Sequence, residues 1–145
     1  MRYSNRAINI IKKYEGCRTS AYLCPAGIWT IGYGHTNGVK QGDVITEAIA
    51  DNFLHKDLAE TCKTLNRFLE NDGIEVTQNQ FDALISLAFN IGFRFTRFNL
   101  WKQLKAGNFE QSAKEFLDIN RANGQVLTGL TKRRREEADL FLRAD

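Results

Sequence analysis

No stretch of this sequence approaches the roughly 20 consecutive apolar residues that a membrane-spanning helix needs. Cysteine and histidine are scarce: Cys17, Cys24 and Cys62 contain no CxxC pair, and the histidines are His35 and His55 alone. That spacing fits no zinc site, so neither a metal nor any other cofactor is expected. An odd cysteine count, behind a first segment too interrupted by Asn and Lys for a secretory signal, argues against a disulfide framework. The chain is therefore expected to be made and kept in the cytoplasm. A charge excess is also missing: 20 basic against 17 acidic residues give +3. That bias is too mild for a dedicated nucleic-acid binder, though it suits an anionic partner such as bacterial cell wall.

What is present is an ordinary globular composition, 43% hydrophobic and 26% charged over 145 residues, enough for one domain with a real core. Ser4 or Asn5 caps a predicted helix running to about Glu15, with Ala7, Ile8, Ile11 and Tyr14 at helical spacing and Gly16 as its stop. Residues 21–31 then read as a strand, a Pro25-Ala26-Gly27 turn and a returning strand. The run Gly32-Tyr33-Gly34-His35-Thr36-Asn37-Gly38 predicts a tight, exposed backbone path. Thr46 opens a long amphipathic helix with Ile49, Phe53, Leu54, Leu58, Cys62, Leu65 and Leu69 on one side. Thr77-Gln78-Asn79-Gln80 is a capping box leading into a helix that stops at Gly92. Further helices are predicted at about 98–106, 109–119 and 131–143, punctuated by Gly107, the 121–124 loop and Gly129. The expected fold is α+β: one domain over 1–145, with a small hairpin lobe at about 15–45. A long helix joins it to a helical lobe made of about 71–145 and the first helix.

Cleaving an acetal needs an acid to protonate the leaving oxygen and a second group to direct the nucleophile. Glu15 lies at a helix carboxyl end, where the macrodipole disfavours a carboxylate and so favours a retained proton. The hairpin returns Cys24 and Thr30 toward that end. By itself a helix-end glutamate is an ordinary polar residue, and the neighbouring residues are what raise its interest.

The run from Glu15 through Cys24 to Thr30, then Ile31-Gly32-Tyr33-Gly34-His35-Thr36, closely resembles the catalytic signature of phage lysozymes of glycoside hydrolase family 24, the family of the T-even phage enzyme. Val76–Leu84 with Ala88-Phe89-Asn90-Ile91-Gly92 resembles the central helix of that family. Gly129-Leu130-Thr131-Lys132-Arg133-Arg134 with Glu137, Leu140 and Phe141 resembles its C-terminal helix. The resemblance spans nearly the whole chain and implies a lysozyme-like fold.

It also implies that Glu15 is the general acid, that Cys24 (Asp in the T-even enzyme) activates or orients the attacking water, and that Thr30 holds that water. Thr36, Phe89 and Asn90 match the cleft, with Asn90 suited to a sugar acetamido group. His35 reads as structural, locking the hairpin to the helical lobe. One of Arg133 or Arg134 reaches back to Glu15: Arg133 fits the family pattern better, Arg134 lies closer to the Leu130/Phe141 face, and the sequence does not choose. A thiol ionises near 8.5, and Glu15 with burial would push Cys24 higher, while Arg18 or His35 would pull it down. The implied activity is an endolysin cutting the β-1,4 bond between N-acetylmuramic acid and N-acetylglucosamine of peptidoglycan. The protein would be a monomer that reaches the wall through a holin and binds no nucleic acid. The competing readings are a chitin-type glycosidase and a wall-binding protein that kept the fold with impaired catalysis.

Overall fold

The structure is a computed structural model and describes residues 1–122 and 124–145, so Asn123 in the expected 121–124 loop lies outside it. In chain order the elements are α1 (Asn5–Glu15), β1 (Arg18–Leu23), β2 (Trp29–Gly32), α2 (Glu47–Asn71), α3 (Gln78–Ile91), a 3₁₀ turn (Arg94–Arg97), α4 (Asn99–Lys105), α5 (Phe109–Phe116), β3 (Arg121–Ala122), β4 (Gln125–Val126) and α6 (Thr128–Leu142).

Local chemistry sets most boundaries. The Ser4 hydroxyl caps α1, and Gly16 ends it at φ 67°, a conformation costly for any residue with a Cβ. Thr77 and Gln80 form the reciprocal capping box that starts α3. Every residue of α3 from Asn79 to Ala88 is buried, which is the signature of a helix enclosed by its neighbours. α1, α2 and α6 pack around it. Asp82, fully buried on α3, accepts from the Ser4 backbone N–H at 2.9 Å and from the Ser4 hydroxyl, fastening the start of α1 to the central helix.

β1 and β2 pair antiparallel, with Tyr22 opposite Thr30 and Leu23 opposite Trp29. The other edge of β1 is held by the segment before α2, through Ala21 N–H to Asp43 O at 2.9 Å and Ile45 N–H to Thr19 O at 2.8 Å. The hairpin therefore has little freedom to slide. His35 closes the following loop: its Nδ1 lies 2.8 Å from Asp57 Oδ2 and its ring stacks on Phe53 at 4.3 Å. Both partners are on α2, so His35 ties the loop to the connecting helix and not, as expected, to the helical lobe.

Several boundaries and one face differ from expectation. Ile49 is 40% exposed and Ala50 takes the buried position, because Gly32 packs so tightly there that a Cβ built on it would lie 3.2 Å from that of Ala50. α5 ends at Phe116, and a two-residue ladder, β3–β4, follows it. α6 starts at Thr128, placing Gly129 inside its first turn.

Leu65 is fully buried on α2 within the main hydrophobic cluster. Leu65→Ala is expected to lower unfolding free energy by roughly 2–5 kcal/mol, read by urea denaturation, because a cavity opens where the helix meets the core.

Candidate active site

Glu15 is the last residue of α1, and Gly16 turns the chain away immediately after it, leaving the carboxylate at a helix end with its side chain 21% exposed. Its two oxygens face different surroundings. Oε2 accepts from Arg133 Nη1 at 2.6 Å. Oε1 lies over Gly34, where a Cβ would sit 2.8 Å from it and 3.8 Å from a ring carbon of Phe89. Gly34 has φ 74°, so two independent reasons exclude a larger residue: the backbone conformation and the acid resting against it.

Arg133 is buried, and each of its nitrogens has an acceptor. Nη1 meets Glu15, Nη2 meets Ser86 O at 3.1 Å, and Nε meets Glu137 Oε2 at 3.4 Å. Arg133 is thus the arginine that reaches Glu15. Arg134 is fully buried beside it and donates from Nη2 to Asn90 Oδ1 at 2.8 Å. Burial pushes the Arg134 guanidinium below its ordinary range, with Glu137 opposing. Ser86 and Glu137 were not singled out as site residues from sequence. An acidic residue in an Arg-Arg-Arg-Glu-Glu run reads as a solvated helix face, and nothing local marks it as buried.

The hairpin carries Cys24. The turn after Cys24 is closed by Gly27 N–H to Cys24 O at 2.8 Å and by Cys24 N–H to Ile28 O at 3.0 Å, with Gly27 at φ 77°. This is the three-residue hairpin loop that takes a left-handed glycine in its last position. Hydrogen bonding from the Ile28 and Ala26 backbone and from the Thr30 side chain lowers the Cys24 thiol from its ordinary value. The Ile28 contact contributes most, and partial burial opposes it.

The expected influences on Cys24 are otherwise placed. Arg18 covers the Tyr22 ring at 4.5 Å, and His35 is engaged by Asp57. Thr30 is buried and its Oγ1 donates to Ile28 O at 2.9 Å. Cys17 instead neighbours Tyr33, and all three cysteines are free.

The structure therefore brings Glu15, Arg133, Gly34 and Phe89 together, and separately Cys24 with Thr30. Among the described residues no hydrogen bond or ion pair joins Glu15 to Cys24 or Thr30. Asn90 is half-buried at the end of α3, and Thr36 is exposed in the loop after Gly34. Among the described residues no cluster of three or more His, Cys, Asp or Glu side chains is arranged to hold a metal.

A family model described as phage lysozyme matches residues 12–137. The endolysin of Acyrthosiphon pisum secondary endosymbiont phage 1 is 44% identical over 97% of this chain and 98% of its own length. The endolysin of Bacillus phage B103 is 42% identical over 98% of this chain, which spans about half, 54%, of that longer protein. Among solved structures, the muramidase domain of SpmX from Asticaccaulis excentricus is similar with a TM-score of 0.89 at 35% identity, covering 99% of both chains.

Two measurements check this geometry. Gly34→Ala is expected to displace the Glu15 carboxylate and reduce activity far more than it lowers the melting temperature. In a chain with Cys17 and Cys62 replaced by Ser, iodoacetamide should alkylate Cys24 with a half-maximal pH below the 8.5 or so of a free thiol, because the turn N–H groups favour the thiolate.

Proposed function

The chain belongs to the phage lysozyme family, and from that premise we propose that Glu15 is the general acid of a glycosidic cleavage. The protein is a peptidoglycan-degrading endolysin serving host-cell lysis. The bond we assign to it is the β-1,4 linkage from N-acetylmuramic acid to N-acetylglucosamine.

The observation that carries the assignment is the divided hold on one carboxylate. Arg133 occupies Oε2, so Oε1, lying over the Gly34 backbone beside Phe89, is the oxygen left to carry a proton to a sugar. As that proton passes to the leaving oxygen, the glycosidic C–O bond breaks and water attacks the anomeric carbon from the opposite face. The Cys24 thiolate takes a proton from that water, and Thr30 orients it. The turn donors that lower the thiol favour the thiolate that this role needs. Net inversion follows from the family pattern, in which water and not an enzyme carboxylate is the nucleophile.

In this reading the hairpin lobe (about 15–45) and the helical lobe (about 71–145 with α1) form the two walls of a groove, and α2 joins them. Thr36, Phe89 and Asn90 line it, the Asn90 amide meeting an acetamido group while Arg134 fixes its oxygen. No helix among the described residues is long and apolar enough to cross a membrane. Access to the wall we assign to a holin, and the working unit to a monomer, both as the family resemblance implies.

Clearing of purified sacculi tests the assignment. Glu15→Gln should lose activity by roughly 10²–10⁴-fold, the usual worth of a general acid. Cys24→Ser should lose much of the activity and Cys24→Asp should retain it. Mass spectrometry of the soluble fragments should show N-acetylmuramic acid at the new reducing ends, and NMR of the first product should show the inverted anomer. Reducing-end N-acetylglucosamine, or clearing unaffected by Glu15→Gln, would refute the reading.

A further inference from the structure

Behind the Glu15–Arg133 contact lies a carboxylate with no solvent exposure. Glu137, on α6, meets Arg133 Nε at 3.4 Å, Arg134 Nη2 at 3.4 Å and the Ser86 hydroxyl through Oε2, while Oε1 lies 2.7 Å from Arg134 Nε. That last contact is one of charge more than alignment: neither atom finds a well-directed hydrogen bond, and Arg134 Nη1 has no partner among the described residues. A guanidinium taken from water without an anion costs several kcal/mol, so two buried arginines require fixed negative charge nearby. Burial pushes Glu137 up toward its neutral form, and the two arginines oppose that.

We infer that Glu137 is a positioning residue for the proposed acid, holding Arg133 on Glu15 while supplying the buried negative charge that lets Glu15 alternate between carboxylate and acid. The inference rests on the assignment of Glu15 as that acid. The charges facing Glu137 are Arg133 and Arg134 from its own helix and, across Arg133, Glu15 from α1. The Tyr14 phenol of α1 is near enough to feel its charge, and α3 contributes the neutral Ser86 hydroxyl, with Asn90 on Arg134.

With Glu15 ionised the four charged groups sum to zero. Once Glu15 takes a proton, Arg133 and Arg134 face Glu137 alone and one positive charge is in excess. Without Glu137 the excess would be two, and the protonated form of Glu15 would be correspondingly disfavoured. Arg133 also keeps acceptors on Glu137 and Ser86 O when Glu15 is neutral, so it need not swing away during the cycle. Through Arg134 the same carboxylate reaches Asn90, linking the acid and the cleft amide to one anchor.

The sign of the effect is fixed. A general acid works only while protonated, so activity falls as pH rises through its ionisation. Removing negative charge from the cluster stabilises the carboxylate of Glu15 and moves that alkaline limb to lower pH. Removing positive charge moves it to higher pH. Glu137→Gln should therefore shift the alkaline limb of sacculus clearing down by roughly one unit, and Arg134→Met should shift it up.

The double variant Arg134→Met/Glu137→Leu removes a neutral pair, a replacement buried ion pairs often tolerate, and should return the limb close to the parent position. Folding of each variant is checked by circular dichroism and melting. Should Glu137→Gln fail to fold, Arg134→Met carries the test with the opposite sign. Folded single variants whose limb stays at the parent pH would overturn the inference, as would shifts of the same sign in both, which charge cannot produce. Glu15→Gln separates the two levels: full activity there removes the acid itself, whereas an inactive Glu15→Gln beside unmoved limbs removes only the role of Glu137.

Discussion

A guanidinium with 3% of its side chain exposed is the constraint around which this molecule is arranged. Arg133 has donors that water cannot satisfy, and the acceptors come from three helices: Glu15 on α1, Ser86 on α3 and Glu137 on α6. Helix packing and the aim of one carboxylate are therefore the same set of contacts. A change in the crossing of α6 over α3 would strand a buried charge and also release the proposed acid. That coupling explains how a side chain at the end of a helix can hold a defined direction, which a solvated glutamate would lose to rotamer freedom.

The chain around Gly34 is ordered chiefly through its backbone. Gly34 approaches Glu15 closely because it has no Cβ, and Gly32 approaches α2 for the same reason. β1 is bonded along both edges, and His35 pins the loop to Asp57 and Phe53. One side of the site is thus ordered by charge inside a bundle. The other is ordered by backbone hydrogen bonds within and beside a hairpin, with the His35–Asp57 contact fastening the loop to α2.

Those two kinds of order differ in how much of them a sequence displays. Caps and turns are local, so Ser4, Gly16, the Thr77–Gln80 box and the Pro25-Ala26-Gly27 turn were legible from neighbours a few residues apart. The resemblance around Glu15, Cys24 and Thr30 carried the family with them. Ile49 illustrates the first limit. Periodicity fixes a stripe on a helix but not its centre, and Ala50 faces inward because Gly32, distant in sequence, comes so near it. Arg133 and Arg134 illustrate the second. Adjacent helical residues point about 100° apart, both are buried here, and only the placement of α6 against α1 decides which meets Glu15. Glu137 was hidden for the same reason, as an acid in a charged run whose burial is entirely tertiary.

Cysteine at position 24, where the T-even enzyme has Asp, becomes intelligible from this contrast. At position 24 the stabilising donors are chiefly backbone N–H groups of the turn, at Ile28 and Ala26, which exist whatever side chain is present. An aspartate there would already be ionised at neutral pH and merely be held. A thiol, which ordinarily ionises at a higher pH, depends more on those donors to favour its thiolate. At position 15 the neighbours are instead charged side chains, Arg133 on the carboxylate and Glu137 behind it. A hydrolase of this kind needs one group protonated and the other deprotonated at the same pH. In the proposed mechanism the two groups would meet that need in separate surroundings, the backbone donors of the turn for Cys24 and a buried ion cluster for Glu15.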